Sequence, residues 1–168
     1  MPRLLKNNEF YQDSTVIVTA ETDLNSAQET FADKTVLIPV KLWLADSEPY
    51  KALSQSMGLL FEADDMPESV EGDLSFFELI AVDFPGFMDG RGYSTARELR
   101  DHYKFEGDIR ATGDVLIDQL FAMKRCGFSS FLLREDQKQE DALKALDTFT
   151  LRYQGSSDDH QPLYRKRG

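Results

Sequence analysis

The sequence predicts an α/β protein of about four or five βα units around a mainly parallel sheet, and three observations carry that expectation. Short apolar runs begin near Leu59, Leu79, Ile109 and Ser129, about 20 residues apart and widening to about 30 where a glycine-rich loop intervenes. Stretches with apolar residues at helical spacing lie between them. Glycines, Ser94 and Asp114 stand where such helices would start or stop. Strands alternating with helices imply right-handed crossovers and parallel pairing. A full eight-unit barrel takes about 250 residues, whereas this chain has 168. An open sheet or an incomplete barrel remains, the latter open to completion as a homodimer.

Residues 1–35 read as a peripheral arm, in which Val16-Ile17-Val18 forms an edge strand and 21–34 is mostly polar. A single α/β domain then covers 36–154. Thr35 to Val40 has the β-branched density of a strand, with Pro39 restricted to its end or to an edge because proline donates no amide hydrogen. Leu42 begins a helical region running through Tyr50, Leu53 and Met57. Leu59 to Glu62 is a strand, Pro67 to Phe77 a short helix or turn, and Leu79 to Asp83 a strand buried on both faces. After the loop from Phe84 to Gly92, a helix starts with Ser94 as N-cap and presents Ala96, Leu99 and Tyr103. Asp108 to Thr112 is the next strand, followed by a helix capped by Asp114 and closed by Gly127. Phe128 to Leu133 is a strand and Gln139 to Tyr153 an amphipathic helix. The polar residues 155–168 read as a flexible tail.

Charge and cysteine content exclude several functions. Nineteen Lys and Arg against thirty Asp and Glu give a net charge of −11, which opposes nucleic-acid binding, since that requires clustered cations. Cys126 is the only cysteine, so a disulfide within the chain, a structural zinc site and an iron–sulfur cluster are all closed. No metal site is expected. No apolar run approaches the roughly 20 residues of a bilayer span, and no signal peptide is evident. The cytoplasm is the expected location.

Chemistry in such a fold belongs at the carboxyl ends of the strands, a rule that selects Glu62, Asp83, Thr112 to Asp114, and Arg134. The richest segment is the loop and helix start carrying Asp89, Gly90, Arg91 and Ser94. Its glycines permit close approach to a ligand, and helix amides favour an anion. Arg91, with Arg97 or Arg110, would supply the counter-charge. The competing reading is a β-to-α turn that needs glycines for its geometry, with Arg91 paired to Asp83 or Asp89. Arg110 in mid-strand demands either an internal ion pair or a polar pocket. Asp114 reads as an N-cap ahead of a base, and Cys126 as a buried, inert thiol ahead of a reactive one. The aromatic residues Phe84 and Tyr93 read as packing, and exposure of Phe87 or Met88 would mark a partner surface. No nucleophile, base and acid set emerges, and the catalytic residues are unknown.

Taken together, the run from Phe84 to Arg97, Leu99-Arg100, Ile109 to Val115, Asp118-Gln119-Leu120 and Arg125 to Phe128 resembles a bacterial family of unknown function whose label associates it, as an oxidoreductase, with sulfite reduction. The resemblance runs from about Val36 to Tyr153. It implies a role beside the assimilatory sulfite reductase in cysteine biosynthesis. That reaction needs siroheme and an iron–sulfur cluster, or flavin and nicotinamide to feed them. A chain with one cysteine and no dinucleotide fingerprint cannot be the haemoprotein, and no cofactor is expected of it. Two functions follow: an accessory protein that docks on sulfite reductase or its electron donor, or a small-anion binder with a strand-end pocket lined by Arg91, Arg110 and the Asp89 loop.

Overall fold

The computed structural model describes residues 3–53, 56–86 and 90–152, apart from the side chains of residues 27, 28, 30 and 147–152. The expected tail at 155–168 lies outside them. The strands are β1 (Arg3–Lys6), β2 (Glu9–Gln12), β3 (Thr15–Ile17), β4 (Thr35–Pro39), β5 (Met57–Phe61), β6 (Leu79–Phe84), β7 (Asp108–Gly113) and β8 (Ser130–Leu133). The α-helices are α1 (Leu24–Thr30), α2 (Val40–Ala45), α3 (Glu48–Lys51), α4 (Arg91–Asp101), α5 (Leu120–Cys126) and α6 (Gln139–Arg152), and a 3-10 helix spans Pro67–Phe76.

All eight strands form one sheet in the order β2-β1-β8-β7-β6-β5-β4-β3. β3 to β8 are sequential, parallel neighbours, and β1 pairs antiparallel to both β8 and β2. The α/β, mainly parallel expectation therefore holds, while the strand count exceeds the four or five expected. The excess comes from residues 3–17, which supply three strands, two of them a hairpin turned at Asn7 and Asn8. Both asparagines have φ near +60°, at 54° and 64°, as the tight two-residue hairpin turn requires.

Sequential parallel strands joined by crossovers of one hand place every helix on one face. The core shows this. Val36, Ile38, Leu59, Phe61, Ile80 and Val82 point to the same cluster as Trp43 of α2, Leu99 of α4, Met123 of α5 and Leu146 of α6. The alternate residues Leu37, Leu60, Leu79 and Ala81 form a second buried cluster on the helix-free face. β6 is therefore buried on both faces, as its unbroken apolar run predicts.

That inner face is covered because the sheet curls into a half-barrel. β2 and β3 are the two edges, yet only Asp13 and Ser14 separate them in sequence. Eight flat strands would hold their edges roughly 33 Å apart, whereas three Cα steps reach at most about 11 Å. The short connection forces the edges towards each other. Ser14 is held there by accepting the Thr35 amide at 3.0 Å.

Four local expectations need correction. The helix read from Leu42 to Met57 is two short helices, because Pro49 starts a new one at α3 and Met57 already belongs to β5. Ser94 is not the N-cap of α4, which begins at Arg91 with Gly90 in the cap position. Asp114 caps no helix; the Leu116 amide instead donates to Gln119 Oε1 at 3.1 Å, and a 3-10 turn at Ile117–Gln119 leads into α5. The next helix accordingly starts at Leu120 rather than near Leu116. Gly127 does close α5, in a left-handed conformation (φ 113°), where an added Cβ would stand 2.5 Å from the Arg100 side chain.

Candidate functional site

The carboxyl ends of β5, β6, β7 and β8 carry Glu62, Asp83, Thr112, Asp114 and Arg134 at or next to their last residues. Asp83 and Thr112 are register partners on β6 and β7. With period-two alternation, both stand on the helix-free face, in line with Ala81 and Arg110. Burial pushes the Asp83 carboxyl up, the charge of Glu62 pushes it further, and a hydrogen bond with Thr112 opposes both. Gly113 closes this corner with φ +88°, and an added Cβ would lie 2.5 Å from Asp83 Oδ1. No L side chain fits there without moving the carboxylate.

Asp83 binds its proton more tightly in the folded chain than in the unfolded one. Between the ordinary carboxylate pKa and its raised folded value, the native state holds more proton, so stability falls as pH rises through that window. Asp83→Asn should remove that part of the slope and raise the urea midpoint at neutral pH. An unchanged pH profile of urea midpoints between the variant and the parent chain would contradict this.

The arginines near the strand ends are matched by carboxylates. Arg91 Nη1 donates to Asp64 Oδ1 at 2.9 Å, on an exposed surface. Arg134 donates to Asp114 at 2.8 Å and to both oxygens of Asp136 at 2.7 Å. These bonds hold the Asp136 carboxyl down to about 2.

The sequence-selected residues thus divide into separate groups. Arg91 joins Asp64, and Asp114 joins Arg134. Ser94 is exposed on the first turn of α4 beside Thr95, whose hydroxyl donates to Arg91 O at 3.2 Å. Arg97 lies on the exposed face of α4, 3.9 Å from Asp101 and with Nη2 3.8 Å from Cys126 Sγ. Cys126 is half-buried rather than fully enclosed. Asp89, Phe87 and Met88 lie outside the described residues. Phe84 and Tyr93 pack edge to face at 5.3 Å.

Arg110 does not reach the strand-end group. It is 7 % exposed and takes the internal ion pair that its mid-strand position allows. Nη2 donates to Asp108 Oδ2 at 3.1 Å, Nε to Ser130 Oγ at 3.0 Å, and Nη1 stands 3.9 Å from Asp13 Oδ1. Asp108 also accepts from Ser129 Oγ at 2.5 Å and Ser130 Oγ at 2.8 Å, and Lys6 Nζ is 3.5 Å away. The sequence reading missed Asp108, Ser130 and Asp13. A signal existed for the first: Asp108, Arg110 and Thr112 recur with period two, the mark of a polar stripe on one face of a strand.

Residues 58–164, well over half of the chain, match the family model described as "Bacterial protein of unknown function (DUF934)". No curated protein matches the chain. Among the described residues no helix is long and apolar enough to cross a membrane.

Proposed function

We propose, from the premise that this chain belongs to the DUF934 family of bacterial proteins, that it is a cytoplasmic accessory protein or auxiliary oxidoreductase component that docks on sulfite reductase or its electron donor. The observation that carries this reading is the pairing of the arginines. Arg91, Arg97, Arg110 and Arg134 each stand within 4 Å of an aspartate, so a small anion at the strand ends would compete with a carboxylate already in place. The surplus of acidic residues that gives −11 is then the dominant long-range feature. A strongly charged surface steers encounter with an oppositely charged partner, and that steering is screened by salt.

The link to sulfite reduction rests on the family resemblance of the motifs between Phe84 and Phe128. Its test is a pull-down of purified sulfite reductase and its electron donor with the full chain at about 20 mM and about 500 mM salt. The expected result is a complex with one of them at low salt that is lost at high salt. No complex at low salt overturns the reading.

A further inference from the structure

We propose that a cavity at the opposite end of the sheet, beneath the β1–β2 turn, binds a small organic anion with an apolar body, such as an aromatic or short-chain carboxylate. The cavity encloses about 320 Å³, within the range of small-molecule sites. Its floor is apolar: Leu5, Phe128, Phe131 and Leu146 line it, and all four are buried. Among the described residues its lining carries Lys6, Lys124 and Arg100 against one carboxylate, that of Glu106. In a chain of net charge −11, this is a local reversal of sign.

Arg100 gives the strongest argument. It is 8 % exposed, and its hydrogen bonds all go to neutral oxygens. Nε donates to Gly127 O at 2.9 Å, Nη1 to Phe105 O at 2.8 Å and Gly107 O at 2.7 Å, and Nη2 to Ser129 Oγ at 3.3 Å. Four of the five guanidinium hydrogens are thereby committed. Among the described residues no carboxylate lies within ion-pair distance of it. The charge of Asp108 favours the Arg100 cation from beyond the Ser129 hydroxyl, but that carboxylate is shared with Arg110 and Lys6. A buried cation solvated by dipoles and only partly offset by a shared carboxylate is stabilised further by a counter-charge placed nearby, and the cavity it lines is where one fits.

Lys124 adds a second cation. It is half-buried near the end of α5 and has no carboxylate within ion-pair distance among the described residues. Lys6 is shared with Asp108. Asn7 and Asn8, fixed by the turn, bring amide side chains to the same rim. An inorganic anion would leave the floor wet or empty, whereas a carboxylate with an apolar body covers the floor and meets the cations together.

Isothermal titration of the full chain with benzoate and hexanoate tests this, with benzamide and sulfate as comparators. At least one carboxylate should bind saturably with one-to-one stoichiometry, at least tenfold tighter than benzamide or sulfate. Lys124→Glu should weaken that binding about tenfold or more. Lys124→Gln, which removes the charge without adding another, should weaken it about threefold and serves if the first variant does not fold. No saturable carboxylate binding, equal binding of benzamide or sulfate, or unchanged affinity in the variants would overturn the proposal.

Discussion

Asp108→Ala should lower the free energy of unfolding by about 3–5 kcal/mol, the cost expected when one partner of a buried charge pair is removed and the other stays behind. The uncompensated group is Arg110, whose side chain is 9 % exposed. Ser129 and Ser130 would lose the acceptor they share. Asp13 cannot replace it, since it stands 3.9 Å from Arg110 Nη1 and its Oδ1 already accepts from the Thr15 amide and hydroxyl. Urea unfolding of the two proteins measures the loss. Arg110→Met in the Asp108→Ala background should recover part of it, because the stranded charge is then gone. Burial alone would push the Asp108 carboxyl up; hydrogen bonds from Ser129 and Ser130, with the charges of Arg110 and Lys6, outweigh it and hold the carboxyl below its usual range. A depressed folded pKa means that this stability is present above the ordinary carboxylate value and is lost as pH falls through the lowered one. The parent chain should therefore be more acid-sensitive than Asp108→Ala over that interval. A loss below about 1 kcal/mol at neutral pH would show that the pair does not hold this part of the sheet.

What the sequence made legible depended on how local the determining contacts are. β6 was readable because its apolar run is continuous, and the structure buries Ile80 and Val82 on one face and Leu79 and Ala81 on the other. Gly127 was readable because a helix end in the left-handed region is a property of one residue. The β1 strand was not. Its four residues Arg3 to Lys6 have charged ends, and what makes them a strand is β8, more than a hundred residues away. Local capping chemistry also misled at Ser94, where α4 begins three residues earlier with Gly90 as its N-cap, and at Asp114, where a tertiary partner decided the outcome. Asp114 was drawn off by Arg134, and Gln119 Oε1 instead accepts the Leu116 amide in the 3-10 turn that leads into α5.

The candidate site shows the same division. That a mid-strand Arg110 needs a partner follows from electrostatics alone. Which partner it finds follows from the curl, because Asp13 joins the two edges of the sheet and meets Arg110 across the inner face. The strand-end rule named Asp83 and Arg134 correctly as residents of that end, yet proximity along the strands did not gather the arginines into one anion site. Each found a nearer aspartate. The cationic rim lies instead at the amino-terminal end, where Lys6, Arg100 and Lys124 come from three elements that no spacing in the sequence connects.

Arg100→Ala should destabilise the chain by about 3–5 kcal/mol, since it strips donors from several buried carbonyls and leaves a void. The guanidinium ties together segments that have no regular structure of their own: Phe105 and Gly107 in the connection after α4, and Gly127 after α5. Ser129, which it also reaches, leads into β8. Its aliphatic stem lies against Gly127, close enough that a Cβ there would collide with Cγ. Lysine cannot substitute fully. An ammonium has three hydrogens at one point, whereas the carbonyls of Phe105, Gly107 and Gly127 are met by two separate nitrogens of a planar fork. Arg100→Lys should therefore fall between the parent and Arg100→Ala in urea midpoint. Equal midpoints for Arg100→Lys and the parent would show that the positive charge, and not the fork, organises this end of the sheet. If benzoate or hexanoate occupies the adjacent cavity, Arg100→Lys should also gain less stability from it than the parent does, because the counter-charge then meets a smaller, repositioned cation.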